Sequence, residues 1–414
     1  MGEELLDRSP APPLISFAAT PPRHSLPLVG GGEVEVRSAR TGLLISPVRT
    51  GEDEEGRTAV RYASGLPHDD YATVPPSHKE PAVPIPQPNY NPPFNVTRAS
   101  HSVLRVKDLG RSRAFYVDLI GFIVSDEDKD ALYLRGVAEA CHHSLVLKRA
   151  ETPQAERVGL RCFTEEDLEK AKHYFERQGL PAQWVERPYQ GRTLHVSDPL
   201  GSPLEFCATM EKKPRLVVSF EHHRGAVPQR IDHFQLLVPD VQRQLDFYSG
   251  LGFRLSEYIG ADGSDEPLFV FLQRKGNPHD IVFAPGAGPR LHHAAFAIPE
   301  SYLFFYVCDL AYNMGFAENI EFGPGRHGPG HALFVYMRDP DGHRIELFNT
   351  HYQCIDIEEE PVRWDASRAG ARRWQLPARA QWFAQASRFA GIEPREPAHK
   401  GNPMTLERYV GAAG

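Results

Sequence analysis

Residues 338–348 read Arg-Asp-Pro-Asp-Gly-His-Arg-Ile-Glu-Leu-Phe, RDPDGHRIELF. Asp339-Pro340-Asp341-Gly342 has the chemistry of a tight turn: Asp opens it, Pro fixes φ and Gly supplies φ > 0. His343 to Phe348 then alternates polar and apolar residues, as a strand does. In that register Ile345 and Leu347 share one face, and Glu346 points to the other with Arg344. A carboxylate in mid-strand is costly to bury unless cationic or hydrogen-bonding partners meet it. Glu346 is therefore either a residue on the wet face of a surface strand or part of a built site, and the rest of the chain favours the second.

The turn and its strand have an earlier counterpart, Asp198-Pro-Leu-Gly-Ser-Pro-Leu-Glu-Phe206. Each closes a longer repeated unit. One runs over 157–206, with a helix predicted from Glu165 to Gln178; the other runs over 290–347, with a helix from Tyr302 to Met314. A second repeat aligns SHSVLRVKDLGRSRAFYVDLIGF (100–122) with DHFQLLVPDVQRQLDFYSGLGF (232–253), once one extra residue is allowed near the helix end. Shared features are a strand histidine, an Asp at the helix start, Phe-Tyr in mid-helix and Gly-Phe at its end. Internal repetition of this kind marks units that bury their faces against one another. The fold class read from this is α+β: four βαβββ modules paired into two cup-like domains, 98–212 and 229–352. A Pro-rich N-terminal arm (1–97), with short strands expected at Glu33–Val36, Gly42–Val48 and Thr58–Ala63, precedes them. A C-terminal lid and tail (353–414) follow.

Placed on these modules, His233 lies on the strand opening the third, His292 and His293 on the strand opening the fourth, and Glu346 on its last strand. Equivalent strands of paired units lie side by side, so inward positions on them can converge. Two imidazoles and one carboxylate leave one face of a six-coordinate metal open, the arrangement of non-haem Fe(II) oxygen chemistry.

Through DHFQLLVPD, GNPHDIVFAPGAGPRLHHAAF and GPGRHGPGHALFVYMRDPDGHRIEL, with FYVDLIGF, YLRG and HHSLVL earlier, the chain resembles the vicinal-oxygen-chelate extradiol catechol dioxygenases. The likeness is to the homoprotocatechuate 2,3-dioxygenase and catechol 2,3-dioxygenase type, over roughly residues 99–375. The resemblance implies an enzyme of aromatic catabolism that opens a catechol with O2 to a muconic semialdehyde. It further implies Fe(II), with Mn(II) as the alternative metal, and ligands His233, His293 and Glu346. His279, 14 residues before His293, matches the family's acid–base histidine; Tyr336 matches a tyrosine bonded to the substrate oxygens, and His327 a pocket histidine. The pocket positions are Gln235 (usually Asn), His292, Phe322 and Arg372 or Arg373. Phe322 stands where a homoprotocatechuate enzyme has an arginine for the substrate carboxylate, which puts an arylacetate substrate in doubt. In the first domain His101 and Glu205 take the places of His233 and Glu346. Leu160 is aligned with His293, so that domain is expected to be a structural copy without metal.

Composition fits this reading. Hydrophobic residues are 41 % and charged residues 24 %, as in ordinary globular proteins. A net charge of −8 gives no electrostatic case for nucleic acid or an anionic membrane. No apolar run approaches a transmembrane length, and MGEELLDRSP lacks the form of a signal peptide. Five scattered cysteines without a CxxC suggest reduced thiols and a cytoplasmic protein. The expected partners are a small-molecule catechol and further copies of the chain, as a homotetramer or homodimer. Rival readings are a metal-dependent isomerase or hydrolase of the same fold, and a metal-free small-molecule binding protein.

Overall fold

In each repeated unit a long strand turns into a helix, and in three of the four a side chain caps the turn. Asp108 accepts from the backbone N–H of Gly110 and Arg111, and Asp240 from that of Arg243. Thr164 and Asp167 form a reciprocal capping box. The computed structural model of the chain describes residues 51–52, 58–59, 85–367, 374–397 and 403–413. Within the unit Met1–His78, Gly51–Glu52 pairs antiparallel with Thr58–Ala59. The strands expected at 33–36 and 42–48 lie outside the described residues, as do Arg372 and Arg373. All that follows concerns the unit Lys79–Gly414.

The first module is β1 (Val96–Val106), α1 (Leu109–Arg113), β2 (Ile123–Glu127), β3 (Ala131–Arg135) and β4 (Leu145–Arg149). After α1 the helix continues as π-helical turns, Ala114–Ile120, and stops at Gly121 with φ 98°. The wider turn absorbs the one extra residue by which this repeat exceeds its partner. The second module is β5 (Gln154–Cys162), α2 (Glu165–Arg177), β6 (Ala182–Val185), β7 (Thr193–Ser197) and β8 (Pro203–Cys207). The third is β9 (Arg230–Val238), α3 (Val241–Gly250), β10 (Arg254–Gly260), β11 (Pro267–Gln273) and β12 (Ile281–Pro285). The fourth is β13 (Arg290–Ala297), α4 (Leu303–Asn313), β14 (Ile320–Arg326), β15 (Leu333–Arg338) and β16 (Arg344–Asn349).

The strands form two sheets of one design. The first has the order β2-β3-β4-β1-β5-β8-β7-β6 and the second β10-β11-β12-β9-β13-β16-β15-β14. In each, the two module-opening strands meet antiparallel at the centre and are flanked by parallel partners. A further strand, β17 (Val362–Asp365), adds parallel to β10. The motifs seen twice in the sequence interlock across the two sheets. Tyr116 Oη donates to Asp339 Oδ2 at 3.0 Å, and Tyr248 Oη to Asp198 Oδ2 at 3.3 Å, all four residues being buried. Each mid-helix tyrosine of one sheet thus holds the Asp-Pro turn of the other.

Strand β16 shows how the cup works. Ile345 and Leu347 join the main apolar core with Phe296 and Phe304. Glu346 lies on the other side, level with Tyr336 and Ala295 in adjacent strands, and is 2 % exposed. The wet-face reading of Glu346 therefore fails.

Candidate metal centre and cavity

Strand register brings the three predicted ligands together. His233 of β9 pairs with Ala295 of β13, which pairs with Glu346 of β16; His293 lies two residues before Ala295 on the same face. The small Ala295 side chain lets the flanking residues meet over it. Glu346 Oε2 is 3.2 Å from His233 Nε2 and 3.1 Å from His293 Nε2, and the two imidazole nitrogens are 3.4 Å apart. Among the described residues this is the one group of three His, Cys, Asp or Glu side chains whose ligand atoms cluster within 4.8 Å.

The backing hydrogen bonds set the tautomers. Asp232 Oδ2 accepts from His233 Nδ1 at 3.0 Å, so Nε2 of His233 presents its lone pair to the cluster. His292 Nε2 donates to the carbonyl of Trp382 at 2.8 Å, so its Nδ1 accepts from Nδ1 of His293, also at 2.8 Å, and His293 likewise turns an Nε2 lone pair inward. Burial pushes His293 down to about 4, against the pull of Glu346, so its ring is neutral at pH 7. Burial opposes ionisation of Glu346, but the imidazoles of His233, His293 and His327 gathered around it outweigh it and hold the carboxyl well below its usual range. Two imidazole Nε2 atoms and a carboxylate aimed at one buried point fit a divalent metal.

A cavity of about 440 Å³ opens over the cluster. His279, Tyr336, His327 and Gln235 line it beside the ligands, while Phe269, Phe322, Ala378, Trp382, Phe383 and Met404 make its apolar side. His327 Nε2 is 3.0 Å from Tyr336 Oη and 3.1 Å from Glu346 Oε1, and its ring stacks on Phe334 at 3.9 Å. Phe322 lies parallel to Tyr336 with ring centroids 6.2 Å apart. Burial lowers the pKa of His279, with Glu257 opposing. His292 does not line this cavity: it borders an adjoining one of about 560 Å³ and acts by holding His293.

Sequence reasoning missed Asp232, Glu257 and His351. Asp232 was legible as the neighbour of a ligand histidine. His351, buried between Phe348 and His279, follows the repeats and had no repeat signal.

In the first sheet, His101 pairs with Gly159 and Gly159 with Glu205, as His233, Ala295 and Glu346 do. The counterpart of His293 is therefore Arg157, not Leu160. Leu160 faces the apolar core. The sequence alignment that set Leu160 against His293 would put Cys162 in the place of Ala295, but strand pairing puts Gly159 there. His101 Nε2 lies 2.8 Å from Glu205 Oε1, while Arg187 and His195 hold Oε2 at 3.1 and 2.7 Å. A Cβ on Gly159 would sit 2.3 Å from the His101 ring, so only glycine lets the ring lie across β5. Side-chain donors here occupy the carboxylate that faces a metal-sized space in the second sheet.

Known proteins share this design. The glyoxalase/bleomycin resistance protein/dioxygenase superfamily matches residues 98–206 and 230–347. A manganese-dependent 2,3-dihydroxybiphenyl 1,2-dioxygenase of Geobacillus genomosp. 3 is 28 % identical over 294 residues, 65 % of this chain and 90 % of that protein. A 3-methylcatechol 2,3-dioxygenase of Pseudomonas putida is 31 % identical over 69 % of this chain and 100 % of its own length. The substrate complex of homoprotocatechuate 2,3-dioxygenase from Brevibacterium fuscum superposes with TM-score 0.70 at 34 % identity, over 76 % of this chain and 99 % of that one.

Proposed function

The chain belongs to the glyoxalase/bleomycin resistance protein/dioxygenase superfamily, and from that premise we propose that it is an Fe(II)-dependent extradiol dioxygenase opening a substituted catechol with O2. Both oxygen atoms enter the product, a muconic semialdehyde. The observation that carries this is the convergence of His233, His293 and Glu346 in a cavity walled in part by Phe269, Phe322, Trp382 and Phe383. The rival isomerase, hydrolase and binding-protein readings find no counterpart among the relatives above.

His233, His293 and Glu346 would hold the metal, which when bound supplies a redox-active Lewis-acid centre with open positions for catechol and O2. Mn(II) is the alternative, as in the name of the Geobacillus relative. The protein's own groups do the rest. His279 donates through Nε2 to Glu257, 3.2 Å away, which leaves Nδ1 as the lone pair able to take a catechol proton. Burial keeps that ring neutral at pH 7 and ready to accept. Tyr336 and His327, bonded to each other, offer polar atoms beside Glu346 to orient the diol. Phe322, Trp382 and Phe383 exclude water and favour an uncharged ring substituent over an acetate.

The catalytic domain is taken as 229–352 and the structural one as 98–212. The proposal includes cytoplasmic residence, supported by five free cysteines. No described helix is long and apolar enough to cross a membrane. A homodimer or homotetramer is supported by the aromatic face of α4 and its flanks, where Tyr302, Phe305 and Tyr312 are exposed.

The test is anaerobic purification with metal analysis, followed by mixing with a panel of substituted catechols in air. A yellow ring-opened product is expected; metal-loaded protein that consumes no O2 with any of them would reject the reading.

A further inference from the structure

Glu257 on β10 is a fully buried carboxylate that does not itself line the cavity. Its Oε1 lies 3.2 Å from Nε2 of His279 and accepts from the backbone N–H of Gly330 at 2.6 Å; its Oε2 accepts from Nε1 of Trp364 at 2.8 Å. Trp364 belongs to β17, a strand of the C-terminal segment that adds to the edge of the second sheet, where it pairs with Ile259. A single side chain therefore ties together the predicted acid–base group, the loop beside the cavity and the C-terminal strap.

We propose that Glu257 is the positioning residue for His279, and that the strap, through Trp364, fixes the pose of the acid–base imidazole; the inference rests on the reading of His279 given above. Packing restricts the ring on its other sides. Phe271 stacks on it with centroids 4.7 Å apart and planes at 27°. Gly330, at φ 68°, comes so near that a Cβ there would stand 3.0 Å from Cε1 of His279 and 3.1 Å from His351. What packing leaves undecided is which ring nitrogen points where. A carboxylate can only accept, so its bond to Nε2 settles both the flip and the tautomer.

The first sheet supplies an internal control. Register places Asp126 at the position of Glu257, each opposite an aromatic residue (Tyr133 and Phe271), and His143 at that of His279, one residue before the carbonyl bonded by the central strand. There Asp126 accepts instead from Tyr189 at 2.7 Å, and Nε2 of His143 has no hydrogen-bond partner among the described residues. The carboxylate–imidazole–tryptophan link is built only in the sheet that carries the three converging ligand atoms. If its purpose were merely to anchor the strap, no histidine would be needed in it.

The experiment compares Trp364→Phe, Glu257→Gln, His279→Asn and the double variant Trp364→Phe/His279→Asn, as full chains loaded anaerobically with Fe(II) and assayed with catechol. Trp364→Phe keeps a ring and removes only the N–H, and Trp364 is only partly buried, so it carries the test if Glu257→Gln does not fold. Both are expected to keep their metal and to lose kcat by up to about 10²-fold, the scale of a misplacement of ~1 Å, with KM little changed. The double variant is expected to be no slower than His279→Asn alone, because both changes act through one group. Wild-type kcat in Trp364→Phe, a loss confined to KM, or losses that multiply in the double variant would overturn the inference while leaving the role of His279 intact. A His279→Asn enzyme turning over at the wild-type rate would instead overturn the acid–base reading, and the inference with it.

Discussion

Asp232 shows how much of the proposed metal site lies behind its ligands. It accepts from His233 Nδ1 and is itself held by Asn277 and Arg230, each at 2.6 Å. Burial opposes its charge, but Lys275 and His233 outweigh it and keep the carboxyl well below its usual range. Asp232→Asn keeps the shape and removes the charge that makes His233 a better donor. Metal affinity should fall about 10–100-fold, read by competition with a chelator of known affinity. An unchanged affinity would show that the ring is oriented without Asp232. On the proposed reading, Phe322 is the residue-scale determinant of substrate. It stands in the cavity wall beside Tyr336, where the family resemblance implies an arginine for a substrate carboxylate. Phe322→Arg should raise kcat/KM for 3,4-dihydroxyphenylacetate relative to unsubstituted catechol. A charged hydrogen bond contributes about 1.5–3 kcal/mol, roughly ten- to a hundredfold. No change in that ratio would mean the ring substituent lies elsewhere.

Among elements, β16 carries Glu346 and must keep its register. Glu321 on β14 enforces it by bonding Arg344 of β16, Nε to Oε2 at 2.5 Å, and Arg338 of β15 at 2.8 Å, across three adjacent strands. Burial alone would raise the carboxyl of Glu321, but the two guanidiniums outweigh it and lower its pKa. Burial pulls Arg344 below its usual value too, yet an arginine does not deprotonate in this range, so protonation of Glu321 is what breaks the pair. A depressed carboxyl adds stability that is present above its ordinary value of 4.5 and is lost as pH falls through the lowered folded value. Glu321→Gln leaves the buried Arg344 and the half-buried Arg338 without their counter-charge and should cost about 3–5 kcal/mol in denaturant titrations at pH 7. The gap to wild type should narrow in acid below that window; a gap that widened would reverse the sign and refute the argument.

At the scale of the whole molecule, the two sheets share one strand order over their four-module core, but the first surrounds its Glu205 with Arg187, His195 and His101. One metal ion per chain is therefore expected by elemental analysis. His101→Ala should leave metal content unchanged while lowering thermal stability, since it strips a buried partner from Glu205. Two tightly held ions, or metal loss in that variant, would place a second site in the first sheet.

The sequence by itself determined the modules. Period-two alternation in His343–Phe348, Asp caps at 108 and 240, and the doubled Phe-Tyr and Asp-Pro motifs are local signals, and local signals survive in one dimension. They were enough for four βαβββ units, and for picking His233, His293 and Glu346 with the help of a family resemblance. The tertiary structure decided what depends on register and on approach across strands. Arg157 displaced Leu160 as the counterpart of His293 because strand pairing sets Gly159, not Cys162, in the place of Ala295, an offset of β5 that the sequence does not mark. His292 left the substrate list because its Nε2 meets the carbonyl of Trp382, 90 residues away. Glu257 became a candidate only when β10, the Gly330 loop and β17 met around it. Hydrogen bonds between residues far apart in the chain have no period and no spacing to betray them. They exist only once burial has removed water as the competing partner and fixed each donor opposite its acceptor.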